Sequence, residues 1–129
     1  MKITSTAVSL NVDDVPAASA FLVEHFGFAE QMSADGFSSL AREDAGANVI
    51  FLRRGLATLP ADQRDVHAQG LILAFVVEDL EAELGRLQAE GVEITMPLTV
   101  EEWGERAFQV REPNGVIIQL VDWSGPAQG

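Results

Sequence analysis

The sequence predicts an α+β fold made of two βαβββ modules in one domain per chain. Three observations predict it. The chain has 129 residues, 47% of them hydrophobic, which suits one domain with a real core. Period-two apolar runs and helical stripes follow one another in the order strand, helix, three strands, and that order occurs twice. Short sequences also recur: Val12-Asp13-Asp14-Val15 matches Val77-Glu78-Asp79-Leu80 at a shift of 65, and Arg42-Glu43…Gly46 matches Arg111-Glu112…Gly115 at a shift of 69. The boundaries expected are 5–54 for the first module, 55–70 for a connecting loop, 71–123 for the second module and 124–129 for a tail.

Residues 7–12 alternate, with Val8, Leu10 and Val12 on one face, as a half-buried strand requires. Asp13-Asp14 then offers an N-cap and Pro16 suits a first helical turn. Val15, Ala18, Leu22 and Phe26 form one helical stripe that Gly27 stops. Strands are expected at 28–32, 37–42 and 47–53, separated by turns containing Asp35-Gly36 and Asp44-Ala45-Gly46. Gly, Pro and polar residues mark 55–70 as a connection. In the second module, 71–77 reads as an apolar strand. Glu78-Asp79 caps a helix bearing Leu80, Leu84 and Leu87 on one face and ending at Gly91. Strands follow at 92–96, 105–111 and 116–123, the last two joined by the hairpin turn Glu112-Pro113-Asn114-Gly115. Each half of about 60 residues is marginal alone, so the modules are expected to close on each other.

Composition excludes several functions. The absence of Cys removes disulfides, thiolate nucleophiles and Cys-ligated metal centres. Eight Lys and Arg against 20 Asp and Glu give a net charge of −12, the reverse of a nucleic-acid or anionic-membrane footprint. The acid is uneven: residues 1–64 hold 8 acidic and 5 basic residues, whereas 65–129 hold 12 and 3. Such a surface serves solubility and would also draw in a cationic small molecule. The N-terminus lacks a signal-peptide shape, and the expectation is a soluble, cytoplasmic protein. There is no glycine-rich phosphate loop, and no serine framed as a nucleophile elbow.

The opening VSLNVDDVPAASAFLVEHFGF, the closing WGERAFQVREPNGVIIQLVDW and the order of elements resemble the vicinal oxygen chelate superfamily of glyoxalase I, bleomycin-resistance proteins and extradiol dioxygenases. The closing motif, Trp-Gly-x-Arg, then Phe, then an acidic-Pro-Asn-Gly turn, is the most specific part and is nearer the drug-binding resistance branch. The resemblance implies mixed sheets curled around a cup, and a homodimer. It also implies four strand positions that hold a divalent metal in the family's enzymes, normally as His, Glu or Gln. Here they fall at Ala7, Ile50, Ile72 and Gln119. Only Gln119 has a donor, so no metal and no cofactor are expected. His25, near a helix end, and His67, in the connection, share no ligand spacing.

Strand parity places Val8, Leu10, Val12, Val49, Phe51, Leu73, Phe75, Val77, Ile118 and Leu120 toward the helices. Ala7, Ser9, Asn11, Asn48, Ile50, Leu52, Ile72, Ala74, Val76, Ile117, Gln119, Val121 and Trp123 then face the cup. Apolar walls with a few polar handles suit a ligand; a filled interior or subunit interface is the alternative. Trp103 offers a π-face and Arg106 a charge at the cup's mouth, where Glu101, Glu102 and Glu105 favour a cation. Equally, Trp103 could act as a lid and Arg106 could neutralise those glutamates. Phe108 shifted by 69 lands on Ser39, an asymmetry expected to open one cavity more than the other. The ligand contacts expected are Trp103, Arg106, Phe108 and Gln119, then Asn11, Asn48 and Trp123, with no catalytic residue. Three functions remain in view: a binder of a small, cationic or aromatic ligand that sequesters an antibiotic; a lyase or isomerase with an atypical or metal-free site; and a structural dimer with a filled cup.

Overall fold

The computed structural model of the chain describes residues 1–125. Two compact units divide between Gln69 and Gly70. The first contains β1 (Ala7–Val12), α1 (Val15–Phe26), β2 (Ala29–Ala34), β3 (Phe37–Ala41) and β4 (Asn48–Arg53). The second contains β5 (Ile72–Val76), α2 (Leu80–Ala89), β6 (Met96–Val100), β7 (Arg106–Arg111) and β8 (Ile117–Asp122). Each unit has one four-stranded mixed sheet, ordered β1-β4-β3-β2 and β5-β8-β7-β6; neither closes into a barrel. In each, the outer strand of the βα pair runs parallel to the last strand and the other pairings are antiparallel. The predicted class and the twofold repeat are both present.

The helix ends follow their residues. Asp14 Oδ1 accepts from the Ala17 N–H at 3.0 Å, and Asp79 Oδ1 from the Ala82 N–H at 3.1 Å, so each satisfies a first-turn donor that the helix cannot. At the far end of α1, Gly27 adopts φ 68° and the Phe28 N–H returns to the Leu22 carbonyl at 3.2 Å. Phe28 is buried beneath that turn, the apolar contact that accompanies such a stop. In α2, Gly91 at φ 83° plays the same part and the Val92 N–H bonds to the Leu87 carbonyl.

All four α1 stripe residues are buried, as are Leu80 and Leu87 on α2. The α1 residues close the first core with Leu10, Val12, Leu40, Val49 and Phe51, and Leu80 and Leu87 serve the second with Val110, Ile118 and Leu120. Each such side chain contributes about 1.5–3 kcal/mol by leaving water. Val8, expected in the core, is 41% exposed, and Leu73 and Phe75 are only half-buried. These three lie on β1 and β5, which are edge strands and so have a sheet neighbour on one side only.

Most strand ends fall within one or two residues of expectation, and one strand is displaced. The strand predicted at 92–96 begins at Met96 and runs to Val100. Val92 is used in closing α2, and Thr95 is the first residue to bond toward β7, its N–H reaching the Gln109 carbonyl at 2.9 Å. Pro97 is accommodated because β6 is an edge strand with a register irregularity between Met96 and Thr99. The connection at 55–70 is stitched to the first unit. Asn11 Nδ2 donates to the carbonyls of Gln63 and Val66, the Ala68 N–H bonds to the Asn11 carbonyl, and Arg64 donates to the Ala57 and Leu59 carbonyls. Residues 126–129 of the expected tail lie outside the described residues.

Candidate functional site

The register settles which side chains share a face. In the first unit Ser9, Ile50, Ser39 and Met32 form one row across β1, β4, β3 and β2. In the second, Ala74, Gln119, Gln109 and Met96 form the equivalent row. These rows cross the middle of the faces turned away from the helices. They are mixed in character and partly open: Ile72 is 47% and Val76 68% exposed. Ala107 and Val121, in register with Val76, are buried on the same face. Ala7 and Ile50 share the first such face, and Ile72 and Gln119 the second, by the alternation of their strands.

Gln119 lies on this face as predicted, and its Oε1 accepts a hydrogen bond from Gln109 Nε2 at 2.8 Å. Asn48 is half-buried opposite Ala7. Trp103, in the turn between β6 and β7, and Trp123, just after β8, are 63% and 57% exposed. Their turns are tied together by the Gly125 N–H donating to the Gly104 carbonyl at 3.0 Å. Gly104 takes φ 94°, a conformation that glycine adopts readily. Asn11 has the predicted parity, but its amide is spent on the connecting segment.

Arg106 and Phe108 are corrections. Arg106 pairs with Asp122, and Phe108 with Leu120, which puts both on the helix side. Phe108 is fully buried. Arg106 Nε and Nη2 donate to the two oxygens of Asp122 at 2.9 and 2.6 Å, while its Nη1 reaches Glu81 on α2. Its partners are therefore not Glu101, Glu102 or Glu105. Arg106 holds the Asp122 carboxyl well below the usual carboxylate range, helped by Ser124, and it lowers Glu81 as well. The two carboxylates in turn raise the guanidinium above its ordinary value, Asp122 foremost. This clamp fixes the α2 N-terminus to the β7–β8 pair.

The misplacement has a simple origin. The pairing sums for β3 with β4 and for β7 with β8 show that the repeat shift is 69 between β4 and β8 but 70 between β3 and β7. The connection before β8 is one residue shorter than its counterpart before β4. Phe108 therefore corresponds to Ser38, not Ser39. A one-residue slip moves a side chain to the opposite face.

A family model described as the Glyoxalase/Bleomycin resistance protein/Dioxygenase superfamily matches residues 3–120. The chain belongs to this superfamily. Solved structures share its fold. They include a glyoxalase/bleomycin resistance protein/dioxygenase from Nocardioides, at 19% identity over 100% of this chain and 89% of that one, with a TM-score of 0.74. Lactoylglutathione lyase from Agrobacterium tumefaciens aligns at 17% identity over 94% of each chain, with a TM-score of 0.76. TioX from Micromonospora sp. ML1 aligns at 24% over 94% of this chain and 99% of that one, at 0.68. No curated protein matches the chain. At such identities the likeness shows the fold alone.

The superfamily's enzymes imply a divalent metal, and the residues here do not fit one. Three of the four strand positions are Ala or Ile, which offer no donor. The fourth, Gln119, already uses its oxygen within the protein. Among the described residues, no three His, Asp or Glu side chains cluster as a metal site. The closing motif of this superfamily member reads as scaffold chemistry: Gly104 ties two turns, Arg106 clamps a helix and Phe108 fills a core. Glu112, buried in the turn, accepts from the Val116 N–H and Asn114 Nδ2, both at 2.9 Å.

A second cluster was invisible to motif search. On the helix side of the first sheet, Ser19 Oγ donates to Glu30 Oε2 at 2.7 Å and Ser38 Oγ donates to Ser19 Oγ at 3.0 Å. Bonds from Ser19 first, then Ser33 and Ser38, hold the Glu30 carboxyl below its ordinary value. The signal available in the sequence was the repeat itself, since a shift of 65 carries Ser19 to Leu84. No helix among the described residues is long and apolar enough to cross a membrane.

Proposed function

We propose that this superfamily member binds a small organic molecule on the faces turned away from its helices, without a metal, and sequesters a drug-like compound rather than transforming it. The observation that carries this reading is the donor set: Ala7, Ile50 and Ile72 cannot coordinate, and the Gln119 oxygen is occupied. Lewis-acid catalysis needs an ion held at an open site, and these side chains do not build one. The exposed Ile72 and Val76, the nearby Gln109–Gln119 amide pair and the exposed Trp103 and Trp123 supply apolar area, polar handles and π-faces. The acidic second half favours a cationic, aromatic ligand. Asn48 is kept as a contact in the first unit.

The chain has two tryptophans, both in the second unit and both exposed, so intrinsic fluorescence reports directly on this surface. Titration with planar aromatic cations, including bleomycin-type glycopeptides, in excess chelator should give saturable quenching that weakens with salt. Quenching that needs added divalent metal, or none with any such compound, would count against the reading. The same apolar faces would also suit a second copy of the chain. The expected homodimer is tested by light scattering.

A further inference from the structure

The first unit has a cavity of about 550 Å³ on the helix side of its sheet, bounded by the start of α1, the β2–β3 hairpin and the end of β4. That size accommodates a small organic ligand. Its polar lining includes the buried Ser19 and Ser38 and the exposed Glu30, and Val15 and Pro16 contribute apolar wall. Ser19 and Ser38 are more than nine-tenths buried. Two buried hydroxyls in a core position are costly unless bonded, and here they bond to one another and to Glu30.

The second unit shows what the same fold does without this arrangement. Ser38 corresponds to Phe108 and Ser19 to Leu84. A fully buried ring occupies in one unit the place that a hydroxyl leaves open in the other. The polar cavity is thus a departure of one module from its own repeat, on the face opposite the cup.

Charge decides what the cavity would hold. Asp14 caps the helix, and Asp35 is paired with Arg53 at 2.8 Å. Asp13 is paired with Arg54 at 3.0 Å. Glu30 has hydroxyl partners but no ion pair among the described residues, and so carries an uncompensated charge held in place by the protein. We propose that this cavity is a second binding site, for a small organic ammonium ion whose apolar body lies against Val15 and Pro16 and whose charge is met by Glu30.

The test is a heteronuclear NMR titration of the full chain with benzylammonium, and with benzyl alcohol as the neutral control. Benzylammonium should give saturable shifts at the amides of Ser19, Ser33 and Ser38, and benzyl alcohol should not. Glu30→Gln keeps an acceptor for Ser19 but removes the charge, and should weaken binding by about tenfold or more. Ser33→Phe, on an exposed edge strand, should block the cavity with Glu30 intact, and it carries the test should Glu30→Gln fail to fold. Equal shifts from the alcohol, unchanged affinity in the variant that folds, or no saturable shift would overturn the proposal. Because the cavity lies on the helix side, its failure leaves the reading of the cup untouched.

Discussion

Replacing Phe108 by Ala tests the register that separates core from cup in the second module. Phe108 is fully buried opposite Leu120. Removing a buried phenyl ring loses its transfer free energy and leaves a cavity, together about 3–5 kcal/mol. Against a domain stability of roughly 5–15 kcal/mol this is at least about a fifth of the total. Urea unfolding followed by far-ultraviolet circular dichroism should show a lower midpoint at an unchanged slope. The melting temperature should fall by on the order of 10–20 °C. Phe108→Ser should be worse by about 1–3 kcal/mol, because Leu84 stands where Ser19 would answer the hydroxyl. A loss below about 1 kcal/mol would place the ring on a half-open surface and refute the assignment.

Other perturbations probe the scaffold. Asp122→Asn removes a carboxylate whose folded pKa lies below its unfolded one. Its stabilising contribution is present above the unfolded value near 4 and is lost as pH falls toward the folded value. The variant should therefore be less stable than the parent at pH 7, and the gap should narrow below about pH 4 in melting curves. Glu112→Ala strands the Val116 N–H in a buried turn and should cost about 1–3 kcal/mol by denaturant titration, whereas Glu112→Gln, which keeps an acceptor, should lose less. Asn11→Ala frees two carbonyls of the connecting segment, so limited proteolysis within residues 56–69 should speed up while the helical circular dichroism is retained.

The fold was legible because its signals are local and repeated. Asp14 and Asp79 mark helix starts, Gly27 and Gly91 mark stops, and the alternation in 7–12 and 47–53 marks half-buried strands. The recurrence of such signals in the same order, at shifts of 65 and 69 for the matched segments, exposes the duplication. Facing was harder. A single missing residue between β7 and β8 puts Phe108 and Arg106 on the helix side, and a repeat shift carried across that connection cannot sense its change in length. Partners were harder still. Arg106 has three glutamates near it in sequence but bonds to Asp122 and Glu81, which only tertiary structure brings close. Asn11 looked like a polar handle and proved to be a tether, because its amide meets carbonyls more than 50 residues away. The serine and glutamate cluster had no motif at all; it appears only when the two modules are laid over one another.

Elemental analysis of protein purified without chelator, alongside calorimetric titration with zinc, nickel and manganese, bears most directly on the absent donor set. The expected result is substoichiometric metal and no saturable heat from any ion, in both the parent chain and Gln119→Ala. One equivalent of metal per chain, lost on replacing Gln119, would contradict the account.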